Sequence, residues 1–156
     1  LWSARLLRDA PDEIAAVHRA YFDAGAMVAT TASYQASLIG FERAGVPRAE
    51  AERLITSSVR IAREVRDEYD DIGGPRLVAA SIGPYGAMLA NGSEYRGRYG
   101  MSSTVLRDFH GPRMEILANA GEGWQRAQRA VTRDFPPEEL ARLTSSLERF
   151  GSVGRG

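Results

Sequence analysis

Two short apolar runs, separated by one long helical pattern, constrain the fold more than any other feature of this sequence. The first run covers residues 27–31 (MVATT) and the second covers residues 77–82 (LVAASI). Uninterrupted apolar runs of this length are typical of strands that are buried on both faces of a parallel sheet. Between them, apolar residues recur at helical spacing from about residue 48 to residue 69. Strand, helix and strand in this order predict a right-handed parallel unit of an α/β fold.

Helical patterns also lie on both sides of this unit. Residues 11–24 predict one helix, with Asp9 as its cap, Pro11 in its first turn and Gly25 at its end. Residues 103–119 predict another, which we expect Pro112 to bend. The pattern changes at residue 121, after which further helices are predicted over residues 124–150. We therefore divide the chain into an α/β domain, residues 1–121, and a helical tail, residues 122–156.

Composition excludes several classes of function. The 156 residues are 44% hydrophobic, as in globular proteins, and 20 basic residues balance 20 acidic ones, so no attraction to nucleic acid is expected. Cysteine is absent, which excludes disulfides, thiolate catalysis and cysteine-based metal sites within this chain. All basic residues are arginine, so no lysine can form a Schiff base. With no membrane or targeting segment visible, we expect no membrane partner and a cytoplasmic location.

The candidate site follows from the strands, because ligands of parallel sheets bind beyond the carboxyl ends of the strands. Thr31 and Ser33 lie two residues apart, so their hydroxyls point the same way in an extended chain, and Gln35 would join them. Such a cluster can hold a polar, zwitterionic amino acid. The alternative, which the spacing alone favours, is a strand-end turn whose hydroxyls are satisfied locally.

After the second run, Ser81, Gly83 and Pro84 form either a close backbone approach to a ligand or a plain turn. The segment is not a phosphate-binding loop, because the Gly-Lys-Ser/Thr ending is missing and we expect no helix to follow directly. His18, on the inner part of an amphipathic helix, is interpreted as structural. His110 has no second His or Cys at ligand spacing, so no metal site is predicted there. The acidic residues at 64–71 alternate with arginine and indicate a solvated helix face.

Several segments of the sequence resemble the homocysteine S-methyltransferases, with few gaps from residue 1 to about residue 121. These segments are residues 1–7 (LWSARLL), 21–26 (YFDAGA), 30–36 (TTASYQA), 81–87 (SIGPYGA), 92–97 (GSEYRG), 109–113 (FHGPR) and 118–121 (ANAG). The resemblance is greatest to the branch whose methyl donor is S-methylmethionine or S-adenosylmethionine.

The resemblance implies a (β/α)8 barrel in which zinc activates the thiol of homocysteine for attack on a methyl-sulfonium donor, giving methionine. Two of its eight strands can be placed here, so the predicted fold class is α/β, a partial barrel followed by the helical tail. By the same resemblance, substrate-binding positions fall on three segments. They are Thr31 and Ser33, then Ser81, Gly83 and Pro84, and, in the loop over the barrel mouth, Glu94, Tyr95 and Arg96. Gln35 is added to the first segment from the direction of an extended chain and not from the resemblance.

The sequence departs from the family's pattern in three places. The family's three zinc-ligand cysteines are absent, and its first strand, which carries an acidic substrate-binding residue, would precede Leu1. Its fourth strand should follow Gly121, where residues 122–124 (EGW) do not match. We therefore expect no catalytic residue, no metal ligand and no methyl transfer in this chain by itself.

The tail carries a separate and shorter resemblance. Residues 124–128 and 137–143 are similar to the dimerisation helices of winged-helix regulators of the multiple-antibiotic-resistance type, although an arbitrary helical tail has the same pattern. The alternative functions are therefore a non-catalytic, dimerising or regulatory chain, or a decayed fragment. Self-association would then use the helices of residues 124–150 or exposed apolar faces of the partial barrel.

Overall fold

Two short parallel strands lie side by side, and the long helix between them in sequence packs against both. The computed structural model describes residues 2–69 and 74–121. Strand β1 spans Val28–Thr30 and strand β2 spans Leu77–Ala79, paired in parallel with Val28 opposite Leu77. The predicted strand–helix–strand unit is thus confirmed, with strands shorter than the two apolar runs. The predicted helical tail, residues 122–156, lies outside the described residues.

Helices lie before, between and after the two strands in the sequence. In the described ranges they are α1 (Trp2–Asp9), α2 (Pro11–Asp23), α3 (Leu38–Arg43), α4 (Arg48–Arg66), α5 (Tyr85–Leu89) and α6 (Ser103–Ala120), with a 3-10 turn at Ser93–Tyr95. The patterns predicted α2, α4 and α6 to within a few residues. The short helices α1, α3 and α5 were not predicted, because one or two turns present too few apolar positions for a helical period.

The start of α2 differs from the prediction. Asp9 is the last residue of α1 and not the cap of α2, because the Ala10 amide still donates to the Leu6 carbonyl at 2.9 Å and keeps Asp9 helical. Ala10 occupies the N-cap and makes no side-chain capping bond. The predicted end is confirmed, since Gly25 has a φ of +92° and its amide donates to the Phe22 carbonyl at 2.9 Å.

Helix α4 carries the hydrophobic core on one stripe. Five of its buried apolar residues recur every three or four positions, which are Ala51, Ile55, Val59, Ala62 and Val65. Ile61 lies beside this stripe and packs with Leu7 and Ile14. The first half of this stripe packs against Phe41, Val46 and Leu117, and the second half packs against Phe22 and Ala29. One helix therefore holds α3, α6 and β1 in place. The acidic residues Glu64, Asp67 and Glu68 are exposed and pair with arginine, as with Glu68 and Arg19 at 2.6 Å, in agreement with the predicted solvated face. Residues 70 and 71 of the same run lie outside the described residues.

The sheet is covered on one face by the described residues. Ala29 is buried beneath α2 and α4, whereas Val28 and Leu77, which point the other way, are 46% and 58% exposed. The expectation of strands buried on both faces is therefore wrong for this part of the chain. The physical reason is that no element within residues 2–69 and 74–121 packs on the second face. None of the helices within those residues is both long and apolar enough to cross a membrane.

Burial of His18 predicts a loss of stability in mild acid. His18 is buried in α2, its Nε2 has no hydrogen-bond partner among the described residues, and burial lowers its pKa. The unfolded chain then binds a proton that the folded chain does not, so stability falls as pH drops below about 6.5. Urea denaturation at pH 7.5 and 5.5 measures the difference, and His18→Leu should reduce it. A pH dependence unchanged by that substitution would contradict the prediction.

Candidate functional site

Three hydrogen bonds join the carboxyl ends of the two strands in a closed ring. The Ser81 amide donates to Thr31 Oγ1 at 3.0 Å, and Thr31 Oγ1 lies 2.6 Å from Ser33 Oγ. Ser33 Oγ donates in turn to the Ser81 carbonyl at 2.7 Å. Both hydroxyl side chains are buried. The structure thus brings together three of the predicted site residues, and two of the three bonds cross between the two strand ends, so the hydroxyls are not satisfied within one local turn.

The direction of these bonds limits what the ring can bind. Because Ser33 gives its single hydroxyl proton to the Ser81 carbonyl, Thr31 must donate to Ser33. Both hydroxyl protons are therefore used inside the ring, and the remaining lone pairs can only accept. A ring of this kind suits an ammonium group and cannot donate to a carboxylate while it stays closed. Contact with an amino-acid substrate stays a prediction.

The ring makes Thr31 sensitive to loss of its hydroxyl. Thr31→Val keeps the shape of the side chain but leaves the Ser81 amide without its acceptor and removes the hydrogen bond that Ser33 Oγ accepts, which should lower the free energy of unfolding by about 1–3 kcal/mol. Chemical denaturation measures this change. Thr31→Ser is the matched control, because it retains the hydroxyl; equal losses in the two variants would contradict a role for the ring.

Gln35 lies apart from the two hydroxyls. The chain turns over residues 32–35, so the extended path that would align Gln35 with Thr31 and Ser33 is not observed. Gln35 Nε2 donates to the Ala87 carbonyl at 3.4 Å, while Oε1 is buried without a partner among the described residues. A small cavity of about 120 Å³ adjoins Gln35, between α3 and α5. Gln35 therefore belongs to the α5 side of the site.

Gly83 makes a close approach to the backbone of the first loop. Its amide donates to the Tyr34 carbonyl at 2.9 Å, and a Cβ at this position would lie 2.5 Å from the Tyr34 oxygen. The prediction that no helix follows directly is wrong, because Pro84 caps α5, which begins at Tyr85. The reason is that Pro84, with a fixed φ and no amide hydrogen, suits the position before a first helical turn. The Gly-Lys-Ser/Thr ending is still missing, so the segment is not a phosphate-binding loop.

Of the residues predicted over the barrel mouth, Glu94 and Tyr95 lie on the 3-10 turn and Arg96 directly follows it. Tyr95 is 89% exposed, and Arg96 is exposed and donates to Ser93 Oγ at 3.3 Å. Glu94 has its Oε2 buried without a partner among the described residues. The Ser93 amide donates to Asn91 Oδ1 at 3.1 Å, which forms a side-chain-closed turn. The structure thus separates Tyr95 and Arg96, in solvent, from the buried oxygen of Glu94.

Arg113 is a buried residue that the sequence reasoning gave no role. It is 2% exposed and lies beneath both loops, with Nη1 3.3 Å from the Ala36 carbonyl and Nη2 bonded to the Gly83 carbonyl and, at 2.8 Å, to His110 Nδ1. Burial lowers its pKa to about 10, so it stays charged at neutral pH. The sequence does contain an indication that Arg113 is buried. Phe109, Arg113 and Leu117 lie four residues apart on one stripe of α6, and Phe109 and Leu117 are apolar.

The residues present do not fit a zinc ion. The sequence has no cysteine, and no cluster of three His, Cys, Asp or Glu side chains occurs in the part of the chain that the structure describes. His110 Nδ1 already accepts from Arg113, and burial together with the Arg113 charge lowers the pKa of His110. His18 is buried separately in α2. No step of a reaction is therefore derived through zinc.

A family model for homocysteine S-methyltransferases matches residues 1–123. The chain is 53% identical over 127 residues to homocysteine S-methyltransferase YbgG of Bacillus subtilis, and 48% identical over 124 residues to homocysteine S-methyltransferase of Escherichia coli. Each alignment covers 78% of this chain and 40% of the relative. The chain thus spans about 40% of the length of these curated relatives.

The fold agrees with the sequence match. The crystal structure of the metallated form of the homocysteine methyltransferase MmuM from Escherichia coli superposes on the chain with a TM-score of 0.74 at 48% identity. That superposition covers 78% of this chain and 43% of the other. The mixed α/β arrangement described above is therefore shared with a solved homocysteine methyltransferase.

Proposed function

The chain belongs to the homocysteine S-methyltransferase family, and from this membership we propose that it is part of an enzyme that methylates homocysteine. The methyl donor would be S-methylmethionine or S-adenosylmethionine, and the product methionine. The observation that carries the proposal is the match to homocysteine S-methyltransferases over residues 1–123. The parallel pair β1 and β2, with its polar carboxyl edge, supports it.

In this proposal the described residues form part of a (β/α)8 barrel and contribute one sector of its substrate-binding edge. The homocysteine sulfur attacks the donor's methyl carbon; a new carbon–sulfur bond forms, and the old bond's electron pair stays on the donor sulfur. The thiol proton leaves to solvent. The ring of Thr31, Ser33 and Ser81 would accept from the substrate ammonium group, and Gln35, Gly83 and Pro84 would border the same edge. Glu94, Tyr95 and Arg96 would contribute the loop above it.

The proposed methyl transfer needs an activated thiol, and this chain lacks the residues that activate it in the family. In the family the thiol is activated by zinc on three cysteines, and the sequence here has no cysteine. We therefore propose that the 156-residue chain by itself forms no methionine and that its role depends on a complete barrel. The cytoplasmic location remains part of the proposal.

A chimeric enzyme tests this function. Residues 1–121 replace the matching segment of the Escherichia coli homocysteine S-methyltransferase, and methionine formation from homocysteine and S-methylmethionine is followed by mass spectrometry. We expect methionine from the chimera and none from the 156-residue chain in the presence of zinc. A chimera that is folded by circular dichroism yet inactive would refute the assignment. Zinc-dependent methionine formation by the chain alone would refute its dependence on a complete barrel.

We also propose that the uncovered sheet face drives self-association of the isolated chain. Val28 and Leu77 expose adjacent apolar side chains on it, and exposed strand edges pair readily. Sedimentation velocity should show association that increases with concentration and weakens in the double variant Val28→Thr, Leu77→Thr. Val17→Thr, at an exposed position of α2, is the matched control. Equal association in all three proteins would contradict a role for this face.

A further inference from the structure

The guanidinium of Arg113 is buried and has no carboxylate partner among the described residues. Within the described residues, neither an aspartate nor a glutamate forms an ion pair with it, and its Nε has no acceptor. A buried charge without a counter-charge is costly, so its N–H groups must find other hydrogen-bond acceptors. Its partners are two backbone carbonyls and one imidazole nitrogen.

The two carbonyls belong to the two loops that form the candidate site. Ala36 lies in the loop after β1, directly after Gln35, and Gly83 lies in the loop after β2. Arg113 lies on α6 and bonds to both carbonyls, although Ala36 is 77 residues and Gly83 is 30 residues away in the sequence. The planar guanidinium presents its N–H groups at fixed angles, so one side chain holds both carbonyls at a set separation. A lysine ammonium at the same place is a point charge without that fork.

Two further contacts fix the guanidinium itself. Its Cζ lies 5.0 Å from the ring centroid of Phe109, which in turn packs edge-on against Tyr85, the first residue of α5, at 4.9 Å. Because arginine only donates, His110 Nδ1 must accept, and the neutral imidazole therefore carries its proton on Nε2. Arg113 is thus held from its own helix by an aromatic face and an imidazole nitrogen.

We infer that Arg113 is a positioning residue that sets the spacing of the two substrate-binding loops, through the Ala36 and Gly83 carbonyls. The inference rests on the proposed function in one respect only, namely that the two loops bind substrate. The contacts of Arg113 with the loops do not depend on any substrate. Arg113 touches no reacting atom in this assignment. It acts by keeping Gln35, Gly83 and the Thr31–Ser33–Ser81 ring together at the carboxyl ends of β1 and β2.

Hydrogen exchange of the full chain tests the inference. In Arg113→Lys we expect the Ser81 and Gly83 amides, which bond across the two loops, to exchange about ten- to hundredfold faster than in the parent chain. The amides of Val59 and Ala62 in the core of α4 should accelerate much less. Arg107→Lys, at an exposed position of the same helix, is the matched control and should leave all four amides unchanged.

If the loop amides and the core amides accelerate equally in Arg113→Lys, Arg113 is only a general stabiliser and the inference is overturned. Unchanged exchange at the Ser81 and Gly83 amides would also overturn it.

A second measurement uses the parent chain and therefore does not depend on whether a variant folds. In nitrogen-15 spectra of the parent chain, the Nη protons of Arg113 should exchange with solvent at least about tenfold more slowly than those of Arg107. Equal exchange at the two arginines would overturn the inference. None of these readouts requires methyl transfer, so a failure of the proposed function is distinguishable from a failure here.

Discussion

Replacing Phe41 by alanine is expected to lower the free energy of unfolding by about 3–5 kcal/mol. Phe41 is 1% exposed and lies at the centre of the cluster that joins α3 to α4 and α6. Alanine would leave a cavity that the surrounding helices can fill only in part, because α4 is held along its whole length by other contacts. A loss of this size is a large fraction of the roughly 5–15 kcal/mol that stabilises a typical domain.

The same cluster supports the candidate site, so the loss should extend to it. Ala36 packs in the cluster with Phe41, and its carbonyl accepts from Arg113. Urea denaturation followed by circular dichroism measures the stability of Phe41→Ala. Ile39→Ala is the matched control on the same helix, where Ile39 is exposed and a change within about 0.5 kcal/mol is expected. Similar losses in the two variants would show that Phe41 is not a core residue.

A side chain at Gly86 is expected to detach the segment of residues 91–100 from α5. A Cβ at Gly86 would lie 2.4 Å from the Glu94 amide nitrogen, 2.6 Å from the Ser93 carbonyl carbon and 2.7 Å from Tyr99 Cε1. Two of these atoms are backbone, so no side-chain rotation relieves the clash. Gly86→Val should therefore destabilise the chain by about 1–3 kcal/mol or release the segment. Chemical denaturation and the rate of limited proteolysis within residues 91–100 measure the two outcomes.

Gly111 gives a control of opposite sign. It lies inside α6, and a Cβ there would meet no atom within 4 Å. Gly111→Ala should stabilise the helix by about 0.5–1 kcal/mol, because alanine loses less backbone entropy than glycine. If Gly86→Val were tolerated as well as Gly111→Ala, the close packing of Glu94 on α5 would be refuted.

The sequence was sufficient to predict the helices and strands that are specified by residues close together in the chain. The long stripe of α4, the Gly25 helix end and the two apolar runs each depend on neighbours within a few turns, and the structure has α4, the helix end and both strands. The cap of α2 could not be predicted in the same way. Asp9 is a good capping residue by type, but α1 continues to it, and two adjacent helices compete for the same residue.

Three of the predicted site residues lie together in the structure, but the hydrogen bonds among them were not predicted. Thr31, Ser33 and Ser81 do meet, yet they bond to one another, and Gln35 turns away toward Ala87. The sequence predicts no role for Arg113, because nothing in its neighbours indicates that carbonyls 77 and 30 residues away lie beside it. Substrate contact by Glu94, Tyr95 and Arg96 remains a prediction.

The sequence by itself determined the family, the parallel α/β unit and the absence of any cysteine for a metal site. The tertiary structure decided which polar groups meet: the ring between Thr31, Ser33 and Ser81, the approach of Gly83 to Tyr34, and the hold of Arg113 on both loops. The physical reason is the range of the interactions. Hydrophobic periodicity and helix breakers act over a few residues, whereas these hydrogen bonds form only once the packing of α4 and α6 has brought distant segments to hydrogen-bond distance.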